Sequence, residues 1–189
     1  MATTFQFNPD RVAYFEAAGW RAYYDRKWLK MLWLIVALCQ EQFQIPLPMS
    51  LLAAYYTTRA SVAWVPVDHD EQKVLAFLEK FYRLARRYSS FRFDPVRVAA
   101  LELRYFDVHR RLVGKSDRSE FIQVLTNLHS AIFGLTPEQV RESAEWRVMA
   151  ADTVDRITGR TSTDIEGDWT KLEEFLRHCY RSIHAELSA

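Results

Sequence analysis

The amino-acid sequence predicts an all-α protein, a compact single domain over residues 1–189 built from about seven helices. Three observations carry this expectation. Helix start signals recur along the chain, apolar residues between them repeat at helical spacing, and the connections are only a few residues long. We read no strand-like alternation of useful length, no internal repeat and no low-complexity tract.

In chain order, Asn8-Pro9 opens a long helix over 9–43, expected to break or bend around Tyr24 to Lys27. A proline at the first helical position sacrifices no hydrogen bond, because that amide has no acceptor within the helix. A second helix spans 48–64, and Asp68 with Glu71 opens a third over 69–88. Asp94-Pro95 opens 95–113, Asp117 with Glu120 opens 117–133, and Thr136-Pro137 with Gln139 opens 137–158. Thr163 with Glu166 opens the last, 164–187, whose stripe is Leu172, Phe175, Leu176, Cys179, Ile183 and Leu187. The pairs Asp68/Glu71, Asp117/Glu120, Thr136/Gln139 and Thr163/Glu166 have the N-cap to N3 spacing of a capping box. Gly114, Gly134 and Gly159 stand where helices end, as left-handed C-caps would.

Nearly half of the residues are hydrophobic and 14% are aromatic, so the core is expected to be bulky and stiff. The 25 basic and 24 acidic residues give a net charge of +1, which provides no global field for nucleic acid or an anionic membrane. The basic run Arg83 to Arg87 reads as a solvated helix face. Cys39 and Cys179 lack CxxC spacing and read as buried, reduced thiols of a cytoplasmic protein. The N-terminal stretch lacks the pattern of a secretion signal. The most apolar run, Met31 to Cys39, is far short of the ~20 residues of a membrane span, and reads as the centre of a buried helix.

Function has to be sought in ionisable groups on apolar helix faces, where a charge needs a partner, a shifted pKa or a ligand. Arg59 is the sole charge from Ile45 to Val67, with Tyr55 and Tyr56 nearby. Glu102 and His109 lie beside the stripe Val98, Leu101, Tyr105, Val108 and Leu112, pointing the same way about 10 Å apart. Arg147 falls between Val140, Ala144, Ala151 and Val154, with Asp155 nearer the edge. Glu16 and His129 are weaker cases of the same kind.

Several chemistries find no motif. Glu-x-x-His, HExxH, GxSxG and the glycine-rich phosphate loops are all absent. An irregular metal site from Glu16, Glu102, His109 and His129, or His109 or His129 as a haem axial ligand, is all that remains for a metal. At the level of fold, the helix count and scattered inward Glu and His resemble haem-oxygenase-like and ferritin-like bundles, which specifies no activity.

The leading expectation is a cytoplasmic protein that binds a small polar or anionic ligand in an internal, aromatic-rich pocket. Arg59 and Arg147 would hold the anionic group, Glu102 would orient an arginine, His109 would exchange a proton or hydrogen bond, and Tyr56 would join the lining. One alternative is a non-catalytic assembly protein, a homodimer whose buried polar network is structural. The other is a carboxylate/histidine metal-dependent oxidoreductase. No catalytic residue and no cofactor is assigned, and neither nucleic acid nor membrane is expected as a partner.

Overall fold

The computed structural model describes residues 7–189, and every regular element in them is a helix. There are eight: α1 (Pro9–Tyr24), α2 (Trp28–Phe43), α3 (Met49–Trp64), α4 (Glu71–Tyr88), α5 (Pro95–Leu112), α6 (Ser119–Phe133), α7 (Pro137–Thr158) and α8 (Ile165–Ser188). The count exceeds the expected seven because the first long helix breaks completely rather than bending. Arg26 adopts φ 58°, and the Lys27 amide reaches back to the Ala22 carbonyl at 2.8 Å, a left-handed stop made without glycine. Residues 1–6, part of the stretch read for a secretion signal, lie outside the described residues.

The start signals hold where the cap is unambiguous. Asn8, Asp94 and Thr136 cap α1, α5 and α7, the last with a complete capping box to Gln139. Elsewhere a neighbouring acid takes the role: Asp70 rather than Asp68 caps α4, and Asp164 rather than Thr163 caps α8. Asp117 still accepts the Ser119 amide at 2.9 Å, although the residue at the cap of α6 is Arg118. Gly114 and Gly134 are left-handed as expected. Gly159 is right-handed, and Arg160 turns left instead.

Each helix packs chiefly on its neighbours in the chain, and α8 returns to α1, closing a ring around a shared interior. Asp10–Arg181 at one end and Arg21–Glu166 at the other show that α1 and α8 run antiparallel. Phe7 seals one end of the interior against Phe91, Phe133 and Tyr180.

The ring is an internal duplication, which overturns the expectation of no repeat. Phe7-Asn8-Pro9, Arg11-Val12-Ala13 and Glu16 recur in the same spacing as Phe93-Asp94-Pro95, Arg97-Val98-Ala99 and Glu102. Lys73, Phe77, Leu78, Tyr82 and Arg83 of α4 recur as Lys171, Phe175, Leu176, Tyr180 and Arg181 of α8. Between these anchors burial keeps the register. Cys39 and Phe43 of α2 match His129 and Phe133 of α6, and Ser50, Ala53, Ala54 and Ala60 of α3 match Val140, Ser143, Ala144 and Ala150 of α7. Gln44 and Gly134 make the same left-handed stop. Contacts repeat too. Phe7 meets Tyr180 edge-on at 6.0 Å, and Phe93 meets Tyr82 edge-on at 5.9 Å. Helices α1–α4 and α5–α8 are therefore two copies of one four-helix unit, related by a pseudo-twofold axis through the ring.

The duplication exposes a difference on α2. The run Met31 to Cys39 is not the centre of a buried helix: only Val36 and Cys39 of it are buried, and Trp33 is 59% exposed. Trp28, Leu29 and Trp33 occupy positions that Arg118, Ser119 and Gln123 hold in α6. The same fold position is thus met with polar residues in one half and apolar ones in the other. Exchanging Leu29→Ser and Trp33→Gln together, the residues of the other half, should leave the unfolding free energy at low protein concentration within about 0.5–1 kcal/mol of wild type. Urea titration checks this, and a loss of several kcal/mol would mean that these side chains pack within the chain. Among the described residues, no helix is long and apolar enough to cross a membrane.

Candidate functional site

The inward-facing polar residues meet near the pseudo-twofold axis. In one half, Glu16 of α1 is held by two partners. Arg147 Nη2 of α7 lies 2.5 Å from Oε1, and the Tyr180 phenol of α8 donates to Oε2 at 2.6 Å. The Arg147 guanidinium also lies over the Trp20 ring, 4.9 Å from its centroid, and within 3.5 Å of the Tyr180 oxygen. Burial works against the Arg147 charge. Glu16 and the phenols of Tyr105 and Tyr180 nevertheless keep its pKa well above the usual arginine value. Burial, then the Glu16 charge, pushes the Tyr180 phenol far up, so it remains a hydrogen-bond donor. The Nε of Arg147 is buried without a hydrogen bond among the described residues.

The other half repeats the carboxyl and the phenol but not the cation. The Tyr82 hydroxyl donates to Glu102 Oε2 at 3.1 Å, as Tyr180 does to Glu16. Phe106 stands where Trp20 does, and Thr57 of α3 stands where Arg147 does. Among the described residues Glu102 makes no ion pair, and its Oε1 accepts no hydrogen bond. Burial raises the Glu102 pKa to about 7. Arg147 and the Tyr82 bond pull it down, and Glu16 pushes it further up. Near neutral pH this carboxyl can give or take a proton.

The remaining candidate residues are dispersed. His109, two turns along α5 from Glu102, faces Asp155 of α7 at 3.0 Å and stacks on Phe121 at 5.1 Å between ring centroids. His129 is buried, and its Nδ1 lies 2.7 Å from the Ser143 hydroxyl, which itself donates to the Val140 carbonyl. That hydroxyl has one proton, so Nδ1 must be the donor in the pair. Burial, with Arg147 nearby, lowers the His129 pKa to about 3 and keeps the ring neutral.

Arg59 is not inside. It is exposed on α3, against Tyr55 and Phe77, and lines a surface hollow of about 270 Å³ with Asp68 and His69. Tyr56 lies on the outer face beneath Lys80, where the other half stacks Trp146 with His178. Arg59 and Tyr56 are therefore separate from the central cluster. A larger hollow, about 380 Å³, lies between α1, the start of α2 and α8, around Arg21, Lys30 and Trp169. Neither hollow includes Glu16, Glu102 or Arg147.

Glu16, Glu102, His109 and His129 do not converge as metal ligands. Among the described residues no group of three or more His, Cys, Asp and Glu side chains is placed to hold an ion. Each of the four instead has a protein partner: Arg147, Tyr82, Asp155 and Ser143. Burial raises both cysteine thiols, Cys39 and Cys179, to about 12, so neither is a nucleophile at neutral pH.

The residues that sequence reasoning missed are Tyr82, Tyr180 and Trp20. Tyrosine and tryptophan on an apolar stripe read as ordinary core. The signal that would have found them is the repeat, because Tyr82 and Tyr180 fall at matched positions as Glu16 and Glu102 do. Comparison of the chain with protein-family models, with curated proteins and with solved structures finds no match.

Proposed function

We propose that the protein binds a small polar molecule at the central cluster, with Glu102 as its principal contact. The observation that supports this is the free oxygen of Glu102. Its repeat mate Glu16 uses both oxygens, whereas Glu102 Oε1 accepts no hydrogen bond among the described residues. Glu102 is half-buried, and the raised pKa of its carboxyl marks a cost of holding the charge there; proteins tend to retain such costs where a ligand is met. Arg147 is already neutralised by Glu16, which shifts the favoured ligand from an anion toward a neutral or cationic group. The two buried thiols suit a reducing, cytoplasmic setting.

The experiment is native mass spectrometry of protein purified without chelators, alongside Glu102→Gln. The expected result is a stoichiometric organic mass on the wild type that the variant lacks. A bare polypeptide mass for both, or an equal excess on both, would overturn the reading.

The exposed face of α2 favours a second reading, self-association. Trp28, Leu29 and Trp33 are 54%, 77% and 59% exposed at positions where the other half is polar. The same spectrum reports the subunit count, and a strict monomer at all concentrations removes this reading.

A further inference from the structure

We propose that the Glu102 half of the cluster binds a small organic cation, a guanidinium or primary ammonium group, in the position that the Arg147 side chain holds in the other half. The proposal rests on the binding at Glu102 proposed above and assigns the ligand's chemistry.

The argument comes from the pseudo-twofold axis. In the first half a guanidinium is held by three groups: the Glu16 carboxylate at 2.5 Å, the Tyr180 oxygen at 3.5 Å and the face of Trp20 at 4.9 Å. The second half carries the same three kinds of group on matched positions: Glu102, Tyr82 and Phe106. The carboxyl and phenol are already bonded to each other as their mates are. The halves also differ at the aromatic face, Trp20 against Phe106, and at Gly19, where the second half carries the buried Tyr105; the charge itself differs at the cation-bearing side chain. Thr57 ends after its hydroxyl and methyl groups, where arginine would continue through Cδ, Nε, Cζ and Nη and carry a charge. A carboxylate, a phenol oxygen and an aromatic face are the groups that recognise an alkylguanidinium or alkylammonium ion. Each ring face and each acceptor oxygen is attractive to positive charge, and the one hydroxyl donor, Tyr82, is already engaged by Glu102. Glu102 then behaves as a conditional anion. It is near neutrality alone, and a bound cation would draw it to the ionised form, as an opposite charge within contact distance does.

The test uses ethylguanidinium, the end of an arginine side chain, with isosteric ethylurea as the neutral control and acetate as the anionic one. Binding to the full chain is followed by NMR titration at pH 8 and pH 5.5. The expected result is saturable binding of ethylguanidinium, with Kd on the order of millimolar for so small a probe. Binding should be at least about tenfold weaker at pH 5.5, where Glu102 is neutral, and at least about tenfold weaker for ethylurea and acetate.

Thr57→Arg supplies the missing guanidinium from the chain itself and should abolish binding. Glu102→Gln should abolish it independently, and so keeps the test intact if Thr57→Arg folds poorly. Equal binding of ethylguanidinium and ethylurea, or unchanged binding by folded Thr57→Arg and by Glu102→Gln, overturns the proposal. A neutral or anionic mass lost in Glu102→Gln, with no ethylguanidinium binding, refutes the cation and leaves the binding site standing. With neither, both readings fall.

Discussion

Replacing Arg147 by leucine should cost about 3–5 kcal/mol of stability, the usual consequence of leaving one member of a buried ion pair alone. The effect is large because Arg147 is one cation among several acceptors: the Glu16 carboxylate, the Tyr180 oxygen and the face of Trp20. Its field also reaches Glu102, whose pKa it lowers, so its loss disfavours a second carboxylate. For a chain of this size the expected fall in Tm is on the order of 10–15 °C. Glu16→Gln alone should also destabilise, because it leaves the buried guanidinium unpaired. The double variant, Glu16→Gln with Arg147→Leu, should recover part of the sum, with a coupling of at least about 2 kcal/mol. Urea titrations of the four proteins close the cycle, and simple additivity would show that the pair contributes nothing as a pair.

How much of this was legible in the sequence depends on the range over which each signal acts. Helix starts are decided within four residues, so Asn8, Asp94 and Thr136 could be read directly. The same locality explains the slips at Asp68 and Thr163. An acid stands nearby in each case, and only the path of the chain chooses between them. Arg147 was found because α7 buries a continuous stripe that includes Val140, Ala144, Ala151 and Val154.

Arg59 was misplaced because α3 is apolar all round. Its buried residues are the small Ser50, Ala53, Ala54 and Ala60, while Tyr55 and Val62 face outward. Apolarity there reports neither face. Glu16 was underrated for a related reason: α1 buries Ala13, Ala17, Gly19 and Ala22, and shows its tyrosines to solvent. A helix that packs closely through small residues gives a weak apolar stripe.

The repeat carries the information that single-helix reasoning lacked. Its anchors are a ten-residue pattern at the start of α1 and α5 and a shorter one in α4 and α8, with divergent helices between. The divergence itself is informative. Positions that both halves keep, such as Glu16 and Glu102 or Tyr82 and Tyr180, define what the shared interior requires. Positions where the halves differ, Arg147 against Thr57 and Trp33 against Gln123, define what one half does that the other does not. Packing alone does not need a charge at the first pair or an exposed indole at the second, because the fold accommodates both choices.

The two perturbed groups of the interior should give the protein an unusual stability profile, highest in mild acid rather than near pH 7. Glu102 titrates at about 7 in the fold against 4.5 when free. Between those values the unfolded chain has released its proton and the folded chain has kept it. The stability owed to the neutral carboxyl is therefore complete below about pH 4.5 and is lost as pH rises to about 7, a loss of about 3 kcal/mol. His129 works in the opposite direction, at about 3 in the fold against 6.5 when free. Its contribution is complete above about pH 6.5 and is lost as pH falls toward 3, by on the order of 4–5 kcal/mol.

Between pH 4.5 and 6.5 the two slopes largely cancel. Beyond that window each acts alone. Glu102→Gln should therefore gain about 3 kcal/mol over wild type at pH 8 and almost nothing at pH 4.5. His129→Gln, whatever it loses at neutral pH in packing, should lose less than wild type between pH 6 and 4. Urea midpoints from pH 4 to 8.5 give both difference curves, in which the contributions of surface carboxylates such as Asp10 cancel. Parallel curves for Glu102→Gln and wild type would mean that the carboxyl is ionised in the fold at no cost. The reason for expecting a ligand at Glu102 would then disappear, because an oxygen well solvated by water needs no other partner.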